Sequence, residues 1–101
     1  MKTKFSVILT LIAVLVVQIS FAQNKNVTGT ISDESGLPLA GATIIIDGTT
    51  TGVSTDFDGQ YSITASVGDV LVFSYVGFLT QSETIGANNT INVSMSLDLS
   101  L

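Results

Sequence analysis

The amino-acid sequence predicts an all-β domain, a Greek-key β-sandwich of about seven short strands. Apolar and polar residues alternate with a period of two along several segments, as in strands that bury one face. Turn signals built on Gly, Asp and Asn recur at intervals of roughly 8–12 residues, the spacing typical of a sandwich. After residue 22 the sequence has neither helical periodicity nor an internal repeat.

Residues 1–22 form a predicted secretory signal peptide. Two lysines precede an apolar run at residues 7–17, and Ser20-Phe21-Ala22 offers a cleavage site with small residues at its ends. An uncleaved membrane anchor is the alternative, but this run of about 11 residues is shorter than the roughly 20 that a spanning helix needs. We therefore expect an exported protein with one small domain over residues 23–101.

The first part of the domain reads as two strands. After a short polar leader at residues 23–26, residues 27–32 alternate between hydroxyl side chains and apolar residues or Gly. A polar turn at residues 33–36 follows, and Pro38 marks a loop or a sheet edge because it cannot donate a ladder hydrogen bond. Ala42 to Ile46, rich in β-branched residues, predicts the second strand.

The middle of the domain predicts four further strands. A short one covers residues 53–55, and the Asp58-Gly59 turn leads into the alternating residues 61–66. Val70 to Val76 is nearly continuous apolar sequence, which predicts a central strand buried on both faces. Phe78 to Ile85 is more mixed and is placed nearer a sheet edge.

The last strand is predicted to run to the final residue. Its apolar side chains alternate with polar ones at Ile91, Val93, Met95, Leu97, Leu99 and Leu101. Leu97 to Leu101 would then be an open apolar strand end, a place where a partner protein could add a strand.

The residue types argue against catalysis and metal binding. The sequence has no Cys and no His, which zinc sites and Ser-His-Asp triads use, and Ser-Lys catalysis would need Lys25 from the polar leader. Asp56-x-Asp58-Gly59 has part of the spacing of a calcium loop, but position 12 of such a loop would be Val67 instead of Glu. The same residues suit a tight turn. We predict no catalytic, cofactor-binding or metal-binding residues, and no cofactor.

Charge and aromatic residues limit the partners. Residues 23–101 carry one lysine against eight carboxylates, a net charge of −7. Such a surface repels phosphates, so we expect no nucleic-acid binding and no direct contact with anionic lipid. Tyr61, Phe73, Tyr75 and Phe78 are candidates for a sugar-stacking platform, but Tyr61 alternates in phase with Ile63, which favours packing in the core and at its rim.

The order of turn and strand residues carries a family resemblance. The residues that carry it are Val27-x-Gly29-x-Ile31, Gly36-x-Pro38-Leu39-x-Gly41-Ala42-x-Ile44, Gly48-Thr49, Gly52-x-x-Thr55-Asp56-x-Asp58-Gly59-x-Tyr61-x-Ile63 and Leu71-x-Phe73-Ser74-Tyr75-Val76-Gly77-Phe78. This pattern resembles the carboxypeptidase regulatory-like domain. More narrowly, it is similar to the copy at the N-terminus of SusC/RagA-type TonB-linked outer-membrane transporters of Bacteroidota. The resemblance implies a transthyretin-like (prealbumin-like) sandwich of seven strands.

The resemblance also implies a role. We expect a non-enzymatic module in the periplasm or on the periplasmic face of the outer membrane, in contact with a transporter plug, a barrel or another periplasmic protein. It would associate with the membrane only through that larger protein, and no small-molecule substrate is assigned. Because the sequence to Leu101 contains no plug or barrel, we expect a truncated or stand-alone copy. A small secreted carbohydrate-binding or adhesive module is the alternative, and a peptidase accessory domain is a third possibility.

Overall fold

A computed structural model describes residues 24–100, and the predicted signal peptide at residues 1–22 lies outside them. The described chain forms seven strands: β1 (Lys25–Asp33), β2 (Thr43–Ile46), β3 (Gly52–Ser54), β4 (Gln60–Ala65), β5 (Val70–Ser74), β6 (Gln81–Thr84) and β7 (Val93–Met95). Within this range no helix is long and apolar enough to cross a membrane. The predicted all-β class and the number of strands are confirmed.

The strands form two sheets, in the orders β4-β1-β7 and β3-β2-β5-β6. The long strand β1 has two partners on the same sheet, because it pairs antiparallel with β4 over Lys25–Thr30 and parallel with β7 over Ile31–Asp33. Both sheets contribute side chains to one core, as in other β-sandwiches. Its buried apolar residues are Val27, Ile31, Leu39, Ala42, Ile44, Ile46, Tyr61, Ile63, Ala65, Leu71, Phe73, Ile85, Val93 and Met95.

Strand β4 shows how the two-residue period produces this core. Tyr61, Ile63 and Ala65 are 4%, 3% and 2% exposed, whereas the three residues between and before them face solvent. A shift of one residue in its pairing with β1 would move all three side chains out of the core. The alternation predicted from the sequence is confirmed.

Gly29 allows the segment before β7 to lie against β1. A Cβ atom at residue 29 would lie 1.8 Å from the Ile91 carbonyl oxygen. That same oxygen accepts a hydrogen bond of 2.7 Å from the hydroxyl of Tyr61, the cross-strand partner of Gly29. The glycine therefore makes room for a carbonyl group that a buried tyrosine then satisfies.

The start of the domain differs from the prediction. The supposed leader is already strand from Lys25 onward, in register with the end of β4 at Ala65. The ammonium group of Lys25 donates to the carbonyl oxygens of Gly86 at 2.6 Å and Asn88 at 3.2 Å. Asn24 and Asn26 accept hydrogen bonds from side-chain hydroxyls of Ser66 and Ser62. These polar side chains concealed the start of the strand because all their partners are distant in sequence.

Strand β5 is also shorter and less buried than predicted. It ends at Ser74, and Val76 is 94% exposed in the turn that follows. Leu71 and Phe73 are fully buried, whereas Val70 and Val72 on the other face are only half-buried. The strand is central in its sheet, but the described chain provides no third layer to cover its outer face.

The predicted final strand covers residues 91–101, of which the structure describes 91–100, and within these the strand spans only Val93–Met95. Beyond Met95 the main chain turns away from β1 and pairs with the loop between β5 and β6. As a result, Leu97 and Leu99 are 57% and 86% exposed instead of lying in the core. The alternation predicted the correct face for Val93 and Met95. The open strand end predicted from Leu97 onward does not continue β7 in the described residues.

Candidate functional site

Four segments lie together at one end of the sandwich, which we call the loop end: residues 34–42, 55–59, 75–80 and 96–100. The strand directions place them there, because β1, β3, β5 and β7 finish at this end whereas β2, β4 and β6 begin at it. Main-chain hydrogen bonds join the segments, including Gly41 N to Thr55 O at 3.1 Å and Asp98 N to Gly77 O at 2.9 Å.

The loop end carries most of the exposed apolar side chains of the described chain. Eight large apolar residues are exposed within residues 24–100, and six of them lie at this end: Leu37, Phe57, Val76, Leu79, Leu97 and Leu99. Single exposed apolar residues are ordinary on protein surfaces, but six of the eight lie at this one end.

Four of these residues are carried by two paired segments, and we call Val76, Leu79, Leu97 and Leu99 the apolar patch. The Leu79 amide donates to the Ser96 carbonyl oxygen at 2.8 Å, and Phe78 forms an antiparallel bridge with Leu97. Gly77 makes the turn possible with φ of +87°, a conformation that other residues rarely adopt. Main-chain hydrogen bonds therefore hold together the two segments that carry the apolar patch.

A small cavity of about 150 Å³ opens beside the patch. Its lining combines apolar and acidic side chains: Phe78, Met95 and Leu97 with Asp33, Glu34 and Ser35. Met95 is fully buried, whereas Glu34 and Leu97 are exposed. The cavity thus reaches from the core to a carboxylate at the surface.

Acidic side chains surround the same end. Five of the eight carboxylates in the sequence lie at the loop end or at the strand terminus that leads into it: Asp33, Glu34, Asp56, Asp58 and Asp98. Lys25 lies at the opposite end, bound to the loop that contains Gly86. Hydrogen bonds from the Ser100 hydroxyl and then from its amide lower the pKa of Asp98. The loop end is therefore both apolar and negatively charged.

The Asp56-x-Asp58-Gly59 segment is a turn. Asp56 Oδ1 accepts hydrogen bonds of 2.9 Å from the amides of Asp58 and Gln60. Gly59 has φ of +74°, and a Cβ there would lie 2.5 Å from the Ile31 carbonyl oxygen. Among residues 24–100 no three acidic side chains are close enough to share a metal ion. The hydrogen bonds of Asp56 confirm the predicted turn, and the absence of a metal site stays a prediction.

The aromatic side chains do not form one platform. Tyr61 and Phe73 are buried, with their rings edge to face and their centroids 5.7 Å apart. Burial and, second, the charge of Glu83 raise the pKa of Tyr61 to about 12. Tyr75 and Phe78 are partly buried against the core at the base of the loop end. The core and rim packing predicted from the sequence is confirmed.

Comparison with known proteins identifies the family. The profile of the CarboxypepD_reg-like domain matches residues 27–100, most of the chain. This chain belongs to the CarboxypepD_reg-like domain family. The match covers all seven strands apart from the first two residues of β1.

Relatives of this CarboxypepD_reg-like domain occur in much longer proteins. TonB-dependent receptor P26 of Formosa agariphila is 51% identical over 75 residues, which is 74% of this chain and 8% of the receptor. TonB-dependent receptor SusC of Bacteroides thetaiotaomicron is 40% identical over 88 residues, which is 86% of this chain and 9% of the receptor. The chain thus spans less than a tenth of the length of these relatives.

A solved structure shares the fold of the CarboxypepD_reg-like domain. A chain in the crystal structure of a type II cohesin–X–dockerin complex from Acetivibrio cellulolyticus superposes with a TM-score of 0.54 at 23% sequence identity. The alignment covers 71% of this chain and 52% of that chain. At this identity the likeness supports the architecture alone.

Sequence reasoning found only part of the loop end of this domain. The apolar alternation near the end of the chain drew attention to Leu97 and Leu99, although as strand residues. The sequence did not indicate that Phe57 and Val76 are exposed. It also did not indicate that Glu34 lines the same cavity as Phe78 and Leu97. The available signal was Gly77, since a glycine within an apolar run marks a turn that brings its neighbours to the surface.

Proposed function

We propose that this CarboxypepD_reg-like domain is a non-catalytic, periplasmic protein-interaction module of a TonB-dependent outer-membrane receptor. The observation that carries the proposal is the 51% identity with TonB-dependent receptor P26 over three quarters of the chain. The 40% identity with SusC over a longer stretch supports it independently. The matched segment is less than a tenth of each of these relatives, so we propose a domain within a longer receptor in place of the truncated or stand-alone copy expected from the sequence. The domain would then reach the outer membrane through the rest of that receptor.

The side chains support a role in contact instead of catalysis. Asp56 and Asp98, two of the acidic groups at the loop end, accept hydrogen bonds within their own turns. Tyr61 is committed to the Ile91 carbonyl oxygen in the interior. The exposed groups that remain are mainly apolar and acidic, which suits docking against another protein surface.

The predicted leader is part of this proposal. We propose that residues 1–22 direct export and are removed, so that the mature chain begins at Gln23. N-terminal sequencing of the protein isolated from cells would then start Gln-Asn-Lys-Asn. A start at Met1 in the isolated protein would overturn cleavage and favour an uncleaved anchor.

Cell fractionation tests the proposed function directly. An antibody raised against residues 24–100 should detect a species in the outer-membrane fraction whose intact mass is many times 10.5 kDa. A resident outer-membrane protein and a cytoplasmic enzyme serve as fraction controls. A free species of the domain's own size in the periplasm or medium would overturn the receptor assignment, and a species confined to the cytoplasm would overturn export as well.

A further inference from the structure

We propose that the apolar patch and the acidic cavity beside it bind an extended segment of a partner protein that carries Lys or Arg next to apolar side chains. This inference rests on the proposed function, because it names the chemistry of the partner that an interaction module would bind. It concerns Val76, Leu79, Leu97 and Leu99 together with the cavity between Phe78, Leu97 and Glu34.

The apolar side of the proposal follows from exposure. Val76 and Leu99 present almost their whole side chains to solvent, and both lie next to the hydrogen-bonded pair of Gly77 and Asp98. Removing such side chains from water on binding is favourable in proportion to the area covered. Because the backbone beneath them is already fixed, binding would order few additional groups.

Charge complementarity selects the partner. Asp33 and Glu34 line the cavity, and Asp98 lies between Leu97 and Leu99. The nearest base in the sequence of the described chain, Lys25, is held at the opposite end. A partner segment with Lys or Arg would meet a field of opposite sign there, whereas an acidic segment would be repelled.

The size and lining of the cavity suit such a side chain. Its volume of about 150 Å³ is comparable to that of cavities that hold one benzene molecule. Phe78, Met95 and Leu97 would contact the aliphatic stem of a lysine or arginine, and Glu34 at the rim would face its charged group. A purely apolar side chain would gain no attraction from this carboxylate.

The same charges argue against a second copy of the chain as the occupant. Two loop ends brought together would place five carboxylates of one chain against five of the other. Like charges juxtaposed across an interface are unfavourable, and this end offers no base to offset them. The partner is therefore a different protein surface.

The test uses the full chain, purified from the producing cell, and three labelled peptides of matched length. One alternates Lys and Leu, the second replaces Lys by Glu, and the third replaces Leu by Ser. Fluorescence anisotropy measures affinity, and backbone NMR shifts locate the contact. We expect the Lys/Leu peptide to bind at least roughly tenfold more tightly than either control peptide, with shifts confined to residues 33–35, 75–80 and 95–100.

Matched variants locate the site. The double variant Val76→Ser, Leu99→Ser should weaken binding of the Lys/Leu peptide about tenfold or more, because it removes exposed apolar area. Glu34→Gln should weaken it roughly two- to fivefold, the effect of a surface charge pair, and added salt should reduce that difference. The controls Val67→Ser and Asp47→Asn change an exposed apolar residue and an acidic residue at the opposite end, and should leave binding unchanged.

Three outcomes would overturn the inference. These are equal binding of the Lys/Leu and Lys/Ser peptides, shifts centred on the opposite end, or a dimer in sedimentation whose interface is the apolar patch. Each leaves the proposed function intact if the native species is still found at receptor mass in the outer membrane. A free periplasmic species that binds the Lys/Leu peptide at the loop end would instead overturn the receptor assignment and support the inference.

Discussion

Thr55 is a polar residue in the interior, 7% exposed, and it joins two loops that cross between the sheets. Its hydroxyl donates to the Leu39 carbonyl oxygen at 2.5 Å and accepts from the Ala42 amide at 2.9 Å. Thr55→Val keeps the shape of the side chain but leaves both main-chain groups unpaired. We expect the free energy of unfolding to fall by about 2–3 kcal/mol.

Urea denaturation measures this change. Thr64→Val, on the exposed face of β4, is the matched control and should shift stability by less than about 0.5 kcal/mol. Equal effects of the two variants would contradict a bridging role for the Thr55 hydroxyl.

Tyr61 links stability to alkaline pH. Its pKa is raised from 10.0 to about 12 by burial and by Glu83. Because the pKa of the folded state lies above that of the unfolded state, this stabilisation is complete below about pH 10 and is lost as pH rises through about 12. The urea midpoint of the parent protein should therefore fall as the pH rises from about 10 to about 12. Tyr61→Phe should lose part of that pH dependence, whereas Tyr75→Phe should retain it.

At the scale of elements, the turn between β3 and β4 depends on one of its two aspartates. Asp56 accepts two main-chain hydrogen bonds, so Asp56→Ala should lower the free energy of unfolding by about 1 kcal/mol. Asp58→Ala should have a much smaller effect, since Asp58 contributes its amide and not its carboxylate to this network. Calcium chloride should leave the thermal midpoint of the parent protein unchanged, and a rise on adding calcium would revive a metal site.

The sequence predicted elements whose pattern is local. Strand β4 could be predicted because each of its buried residues alternates with an exposed one, and the Asp56 turn because its hydrogen bonds span four residues. The start of β1 could not be predicted, because the ammonium group of Lys25 donates to the carbonyl oxygens of Gly86 and Asn88, about 60 residues away. The path beyond Met95 was missed for the same reason, since its pairing partner is the distant Gly77 turn.

At the scale of the whole molecule, residues 23–101 carry a net charge of −7, with most of their carboxylates at one end. Repulsion between these charges opposes the compact state, and salt screens it. We expect the thermal midpoint to rise when sodium chloride increases from about 10 mM to about 300 mM, a range over which the screening length shortens severalfold. The double variant Glu34→Gln, Asp58→Asn should show a smaller rise. A midpoint that falls with salt would show that attractive pairs dominate.

The pairing of β1 with both β4 and β7 constrains how the domain folds. Thr30 in β1 bonds the side chain of Asn92, 62 residues further along the chain, and the parallel ladder with β7 begins at the next residue. Contacts so distant in sequence cost loop-closure entropy before they stabilise anything, which slows folding. The sheet that contains β1 is therefore complete only after β7 has paired with it. The domain cannot complete its fold until β7 has been synthesised, and this delay would favour the export that we propose for it.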